Sequence, residues 1–321
     1  MELPAPEGTP RPRAWNFRYH PPDSASWFHQ IYGHVPRHQL DFIYSPAAGH
    51  RELKSFCRGR LAELIKFIEP AGDGAPGFAI GNLSLGDTQF SPGRGGMGIV
   101  YGARVEGVRD HAGRGQAVFV HGIATVNRDL DAVTIAAAAA LLGGRFGISF
   151  YRDYARAVEE APERVAEIIR QYVIAFDELP RLRRRQPQPY YRVDGVTPYS
   201  KILITIEADD RADEVLRTAS RLASILYRSD VQWSTIAWRC ENRFSEAVSI
   251  RFVRRDERPP EGVADCAIAL RELPETDAAL ARKLFGAVET APPGSLSTVE
   301  SAPARVVLSA GSGDVTGEPA P

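Results

Sequence analysis

Two stretches of the chain carry residue types and spacings that could do chemistry. The first is Gly93-Arg94-Gly95-Gly96-Met97-Gly98-Ile99-Val100-Tyr101, which matches the G-x-G-x-x-G-x-V pattern of a protein-kinase phosphate loop. Glycines in that pattern let the backbone close over nucleotide phosphates. Phosphoryl transfer also needs a lysine on the following strand, a catalytic Asp and metal-binding Asn, and a second Asp for the main metal ion. No lysine lies between Lys66 and Lys201, the next strand reads Gln116-Ala117-Val118-Phe119-Val120-His121, and neither H-R-D nor D-F-G follows. With nothing to neutralise the transferring charge, the kinase reading is rejected. The string leads into a strand and lacks the Lys and Ser/Thr of a P-loop, so it is expected to be a glycine-rich entry to a hairpin.

The second stretch is histidine-rich. All seven histidines (20, 29, 34, 38, 50, 111 and 121) precede residue 122. The run from Trp27 to His38 holds three of them and is dense in groups that bind metals or move protons near neutrality. His34 and His38 have the four-residue interval of a zincin, but Pro36 between them disfavours a helix and the adjacent Glu is missing. Structural or partner-contact histidines are the leading expectation, and a metal or proton-transfer site from His29, His34, His38 and His121 is the alternative. His121 follows Phe119 on an apolar strand, where a buried ring requires a hydrogen-bond partner.

Elsewhere the chemical signals are weak. Nothing resembles G-x-S-x-G. The cysteines, Cys57, Cys240 and Cys266, are scattered and odd in number, which suits a reducing compartment and offers no thiolate zinc site. The acidic pairs 159–160 and 209–210 read as helix-end or surface charge, and Arg183–Arg185 as a solvated helix end.

The elements that must hold these residues follow from periodicity. Helices are expected at 52–68, 129–142 (closed by Gly143-Gly144), 162–179, 210–228 and 277–284. Strands are expected at 78–85, 98–105, 116–126, 201–206, 231–238 and 247–253, with a hairpin loop at 110–115. The order implies an α+β fold of mixed sheets backed by helices in two halves. The divisions are a disordered tail (1–14), an α+β domain (15–145), a helical connector (146–187), a second α+β half (188–287) and a disordered tail (288–321).

The chain has 321 residues, 44% hydrophobic and 25% charged, with a formal net charge of −1. That balance argues against a dedicated nucleic-acid or membrane-surface binder. The start of the chain shows no secretory signal, and the apolar run 134–142 is too short to span a bilayer, so a cytoplasmic location is expected.

His29-Gln30, Tyr32-Gly33, His38 and Ser45 resemble the opening of the N-terminal domain of the GTPase-associated protein 1 family. Tyr101, Arg104, Arg114-Gly115, Val118 and His121 are similar to that domain's second block. The family belongs to bacterial conflict systems, encoded beside a GTPase or other NTPase. The resemblance implies an adaptor or regulator that binds a protein partner, with no cofactor and no catalytic residues. His29, Gln30, Tyr32, His34, His38, Arg114 and His121 are then the candidate partner surface. The alternatives are the histidine-based enzyme above and a structural assembly subunit.

Overall fold

A computed structural model describes residues 28–34, 40–44, 77–84, 95–109, 113, 115–125, 130–143, 145–174, 189–197, 199–231, 233–240, 248–257 and 264–290. The strands are β1 (Phe28–His34), β2 (Leu40–Tyr44), β3 (Gly77–Ser84), β4 (Gly95–Glu106), β5 (Gln116–Thr125), β6 (Tyr190–Arg192), β7 (Lys201–Ile206), β8 (Ser234–Trp238), β9 (Val248–Arg254), β10 (Cys266–Ala269) and β11 (Val288–Thr290). The helices are α1 (Ala132–Leu142), α2 (Arg145–Glu160), α3 (Val165–Ile174), α4 (Ala212–Tyr227) and α5 (Asp277–Phe285). The expected helix at 52–68 and the tails 1–14 and 291–321 lie outside the described residues.

Among the described residues, nine strands form one mixed sheet in the order β10-β7-β9-β8-β3-β4-β5-β1-β2. The β8-to-β2 side is antiparallel, while β8, β9, β7 and β10 run parallel to one another. The α+β class read from the sequence is therefore the observed one, and its two halves share a single sheet through the pairing of β3 with β8.

Alternation along each strand sorts the side chains onto two faces. On the helix-covered face, the register aligns Ile123, Ile99, Ile80, Ile236, Ile250 and Ile202 across six strands. All six are buried. The neighbouring row runs Ile31, His121, Tyr101, Phe78 and Trp238. The other face carries Gly77, Ala79 and Gly81 on β3, Gly98, Val100 and Gly102 on β4, and Val120, Gly122 and Ala124 on β5, all buried. Of the kinase-like glycines, Gly95 and Gly98 thus lie within a central strand, where Gly98 keeps this surface low, while Gly93 lies outside the described residues.

Helix α4 is the central prop, packing on β3, β8, α1 and α5. Its apolar stripe of Val215, Ala219, Leu222 and Leu226 is buried. Asp131 caps α1 by accepting the Thr134 N–H at 2.8 Å. Gly143 ends that helix as expected, though for a different reason than a left-handed turn. Its φ is −73°, and a Cβ there would lie 2.4 Å from the Tyr101 ring.

The sequence reading differs from the structure at several points. Strands β1 and β2 occupy the histidine-rich region, and α2 fills 145–160, where only a helical connector was expected. The expected helix from 162 is a 3-10 turn, Pro162–Arg164, followed by α3. The C-terminal tail begins later than residue 288, because Val288–Thr290 pair with Tyr190–Arg192.

Asn82 ties the two sequence halves together. Its buried amide donates to the carbonyls of Leu226 (3.0 Å) and Val231 (3.3 Å), which close the end of α4. Asn82→Leu leaves both carbonyls without that donor, and urea unfolding should show a loss of about 1–3 kcal/mol.

Candidate functional site

The histidines of the sequence motif converge where β1 and β5 meet helices α2 and α3. β1 pairs antiparallel with β5 so that Ile31 faces His121 and His29 faces Ile123. His29 and His121 are therefore diagonal neighbours on the helix-covered face. Gly147 lets α2 come down onto this face, since a Cβ there would lie 3.0 Å from Phe119 Cε1 and 3.2 Å from Tyr172 Oη. The helices bring Phe150, Tyr151 and Tyr154 from α2 and Tyr172 from α3. The rings of Phe150 and Tyr172 stack 3.9 Å apart at 12°.

His29 Nδ1 lies 3.1 Å from His121 Nε2, and His121 Nδ1 lies 2.7 Å from the Tyr172 hydroxyl. A neutral imidazole has one donor and one acceptor nitrogen. Both bonds of His121 are therefore made only when the chain points one way: Tyr172 to His121 to His29, or the reverse. Protonating both rings would set N–H against N–H at 3.1 Å. Burial alone pushes His29 down to about 4. His121 is held well below its ordinary value by burial first and by His29 second. The Tyr172 hydroxyl is raised by burial. The cluster is a neutral, water-poor hydrogen-bond chain at pH 7.

The candidate partner surface is placed mostly inside the protein. His29 (7% exposed), Gln30 (2%), His34 (4%) and His121 (1%) are buried. Tyr32 is half-buried against Phe42. His38 and Arg114 lie outside the described residues. A partner docking on the exterior would meet other side chains than these four.

His34 accepts the Val118 N–H on Nδ1 at 2.9 Å, and the Tyr151 hydroxyl donates to the His34 carbonyl. His29 and His34, five residues apart on one strand, leave it on opposite sides. The two cannot converge on one metal ion without breaking β1. Among the described residues no group of three or more His, Cys, Asp or Glu side chains comes together.

Above the buried chain, two open clefts flank the exposed face of α2. One, of about 390 Å³ between α2 and α3, is floored by Phe150 and Tyr172 and rimmed by Asp153, Arg156, Glu160 and Arg164. The other, of about 350 Å³, lies between α2 and the base of the β4–β5 hairpin and is lined by Glu106, Arg109, Arg152, Arg156 and Glu159. Arg156 borders both.

Tyr172 falls within the helix expected from 162, and nothing local links it to a histidine 51 positions earlier. The α2 arginines were not singled out at all. Their signal is the three-and-four spacing of buried Gly147, Phe150, Tyr151 and Tyr154, which turns Arg152 and Arg156 outward. Comparison with protein-family models, curated proteins and solved structures finds no match.

The depressed histidine pKa values set a pH dependence. Unfolded histidine takes up a proton near pH 6.5, whereas folded His29 resists until about 4. Stability is full above about 6.5 and falls as pH drops through that window, by up to about 1.4 kcal/mol per pH unit for each histidine. Urea midpoints from pH 8 to 4.5 should show this limb. His121→Phe should lose about 1–3 kcal/mol at pH 8 and show a shallower limb than the parent; equal slopes in the two proteins would contradict the assignment.

Proposed function

We propose that this chain works by binding, as an adaptor or regulatory component of an NTPase-linked bacterial conflict system in the cytoplasm, and not by catalysis at its histidines. The observation that carries this reading is that His29, His121 and His34 are committed to internal hydrogen bonds in the core. A general acid or base must reach the proton it moves, and a metal ligand must present a free nitrogen. His29 and His121 instead hold β1 and β5 to α3, while His34 holds β1 to β5 and its carbonyl takes the bond from Tyr151 of α2.

The binding surface in this reading is the outer face of α2 with the two clefts beside it. Arg152, Asp153, Arg156, Glu159 and Glu160 are exposed there. Mixed exposed charge of this kind steers encounter and sets register with a partner more than it adds affinity. The link to an NTPase rests on the family resemblance of the blocks at 29–45 and 101–121.

The test is an affinity pull-down of the tagged chain from its native cell, with metal content read on the same sample. The expected result is co-purification of an NTPase, no stoichiometric metal, and at least a roughly tenfold loss of that partner in Arg152→Glu/Arg156→Glu. A charge reversal at exposed rim positions of this kind acts mainly on association. Stoichiometric metal that is lost on His34→Ala, with no stable partner, would overturn the reading in favour of a metalloenzyme.

A further inference from the structure

The cleft between α2 and the base of the β4–β5 hairpin carries a surplus of positive charge. Arg109 comes from the hairpin, Arg152 and Arg156 come from α2, and Glu106 and Glu159 line the same cleft. All five residues are exposed, while Ala155, which also lines it, is buried. Arg152 and Arg156 stand four apart, so they rise side by side from one helix face. Arg152 Nη2 lies 3.5 Å from the Glu106 carbonyl, a contact that ties the two walls together. These charges do not neutralise one another. Several other surface arginines close on carboxylates: Arg170 on Glu167 at 2.6 Å, Arg192 on Asp194 at 3.0 Å and Arg255 on Glu207 at 2.9 Å. Among the described residues no ion pair engages Arg109, Arg152 or Arg156, although two carboxylates share their cleft. A guanidinium is always ionised, weakly hydrated and forked, so three of them bordering one cleft suit an oxyanion.

The mixture of charges narrows the class of oxyanion. A carboxylate has two oxygens and is saturated by one bidentate fork. A phosphate monoester offers three terminal oxygens and nearly two charges, enough for forks arriving from different elements. A bare anion would also be repelled by Glu106 and Glu159. A phosphate that carries hydroxyl groups answers this, because an ionised carboxylate accepts O–H donors. The cleft volume of about 350 Å³ is at the lower end for ligand sites, which sizes the occupant as a small molecule.

We propose that this cleft binds a small phosphorylated polyol of the sugar-phosphate class, with its phosphate on Arg109, Arg152 and Arg156 and its hydroxyls on Glu106 and Glu159. The site overlaps the surface assigned above to a protein partner. The proposal does not rest on that reading, because it is tested by ligand binding to the purified chain with no partner present.

Calorimetric titration of the full chain with ribose 5-phosphate at low salt should give saturable binding with a Kd below about 1 mM, weakening as salt rises. Inorganic phosphate, which lacks the hydroxyls, should bind at least about tenfold more weakly. Arg109→Gln and Arg152→Gln should each weaken ribose 5-phosphate at least about tenfold, the loss expected for one charge-assisted bond. Glu106→Gln/Glu159→Gln should move two readouts in opposite senses: inorganic phosphate binds more tightly, and the advantage of the sugar phosphate over it shrinks. All four positions are exposed, and an unchanged urea midpoint verifies that each variant folds. No saturable binding of ribose 5-phosphate up to about 10 mM overturns the proposal. Binding that both arginine variants leave unchanged puts the ligand elsewhere on the chain and also overturns it. Sulfate or inorganic phosphate held as tightly as ribose 5-phosphate marks an adventitious ion only, with the same consequence. A glutamate-rich peptide that binds through Arg109 and Arg152 where ribose 5-phosphate does not would assign the cleft to an acidic protein segment and overturn the sugar phosphate.

Discussion

Six isoleucines, one from each of six neighbouring strands, form a single buried row from β5 to β7. Each contributes about 2 kcal/mol by leaving water, against a net stability of about 5–15 kcal/mol for a typical domain. The row ignores the division of the sequence into halves. It passes from β3, near residue 80, to β8, near residue 236, without a break. Because a slip of one residue in any pairing would turn that strand's isoleucine to the opposite face, the row also fixes register. With register fixed, the next row is fixed too, and His121 has to sit beneath α3.

The buried histidine pair follows from that placement. A strand that must present Phe119 and Ile123 inward presents His121 inward as well. Leaving its ring unpaired would cost more than a typical hydrogen bond returns. Tyr172 and His29 satisfy its two nitrogens, and the low polarity that depresses both histidines makes the bonds matter more. His29, His34 and His121 thereby sit in hydrogen bonds that tie strands and helices together. Among the described residues the groups left facing outward include the mixed charge on α2 and the uncharged apolar surface on α1. The first suits a partner met by steering.

Much of the framework was legible in the chain. Strict apolar spacing marked β3, β4, β5, β7, β8, β9, α4 and α5 to within a few residues, because each buries one face and exposes or differently packs the other. The rejection of the kinase loop was also a sequence result, since the missing lysine and the missing H-R-D and D-F-G strings are read directly from the chain. Helix α2 was read only as part of a helical connector, without bounds of its own, because Phe150, Tyr151 and Gly147 are poor helix formers and their stripe becomes compelling only against a sheet. Strand β1 was missed because polar residues at positions 29, 30 and 34 mask alternation.

What the sequence by itself determined is a set of local preferences and exclusions: which segments alternate, which repeat every three or four residues, and which catalytic sets are missing. Only the tertiary structure decided that His29, His121 and Tyr172 meet, across 92 and 51 residues. It alone decided that these groups point inward while Arg156 and Leu141 point out. Strand order and register are long-range choices, made by the fit of whole faces, and no local pattern encodes which strand lies beside which.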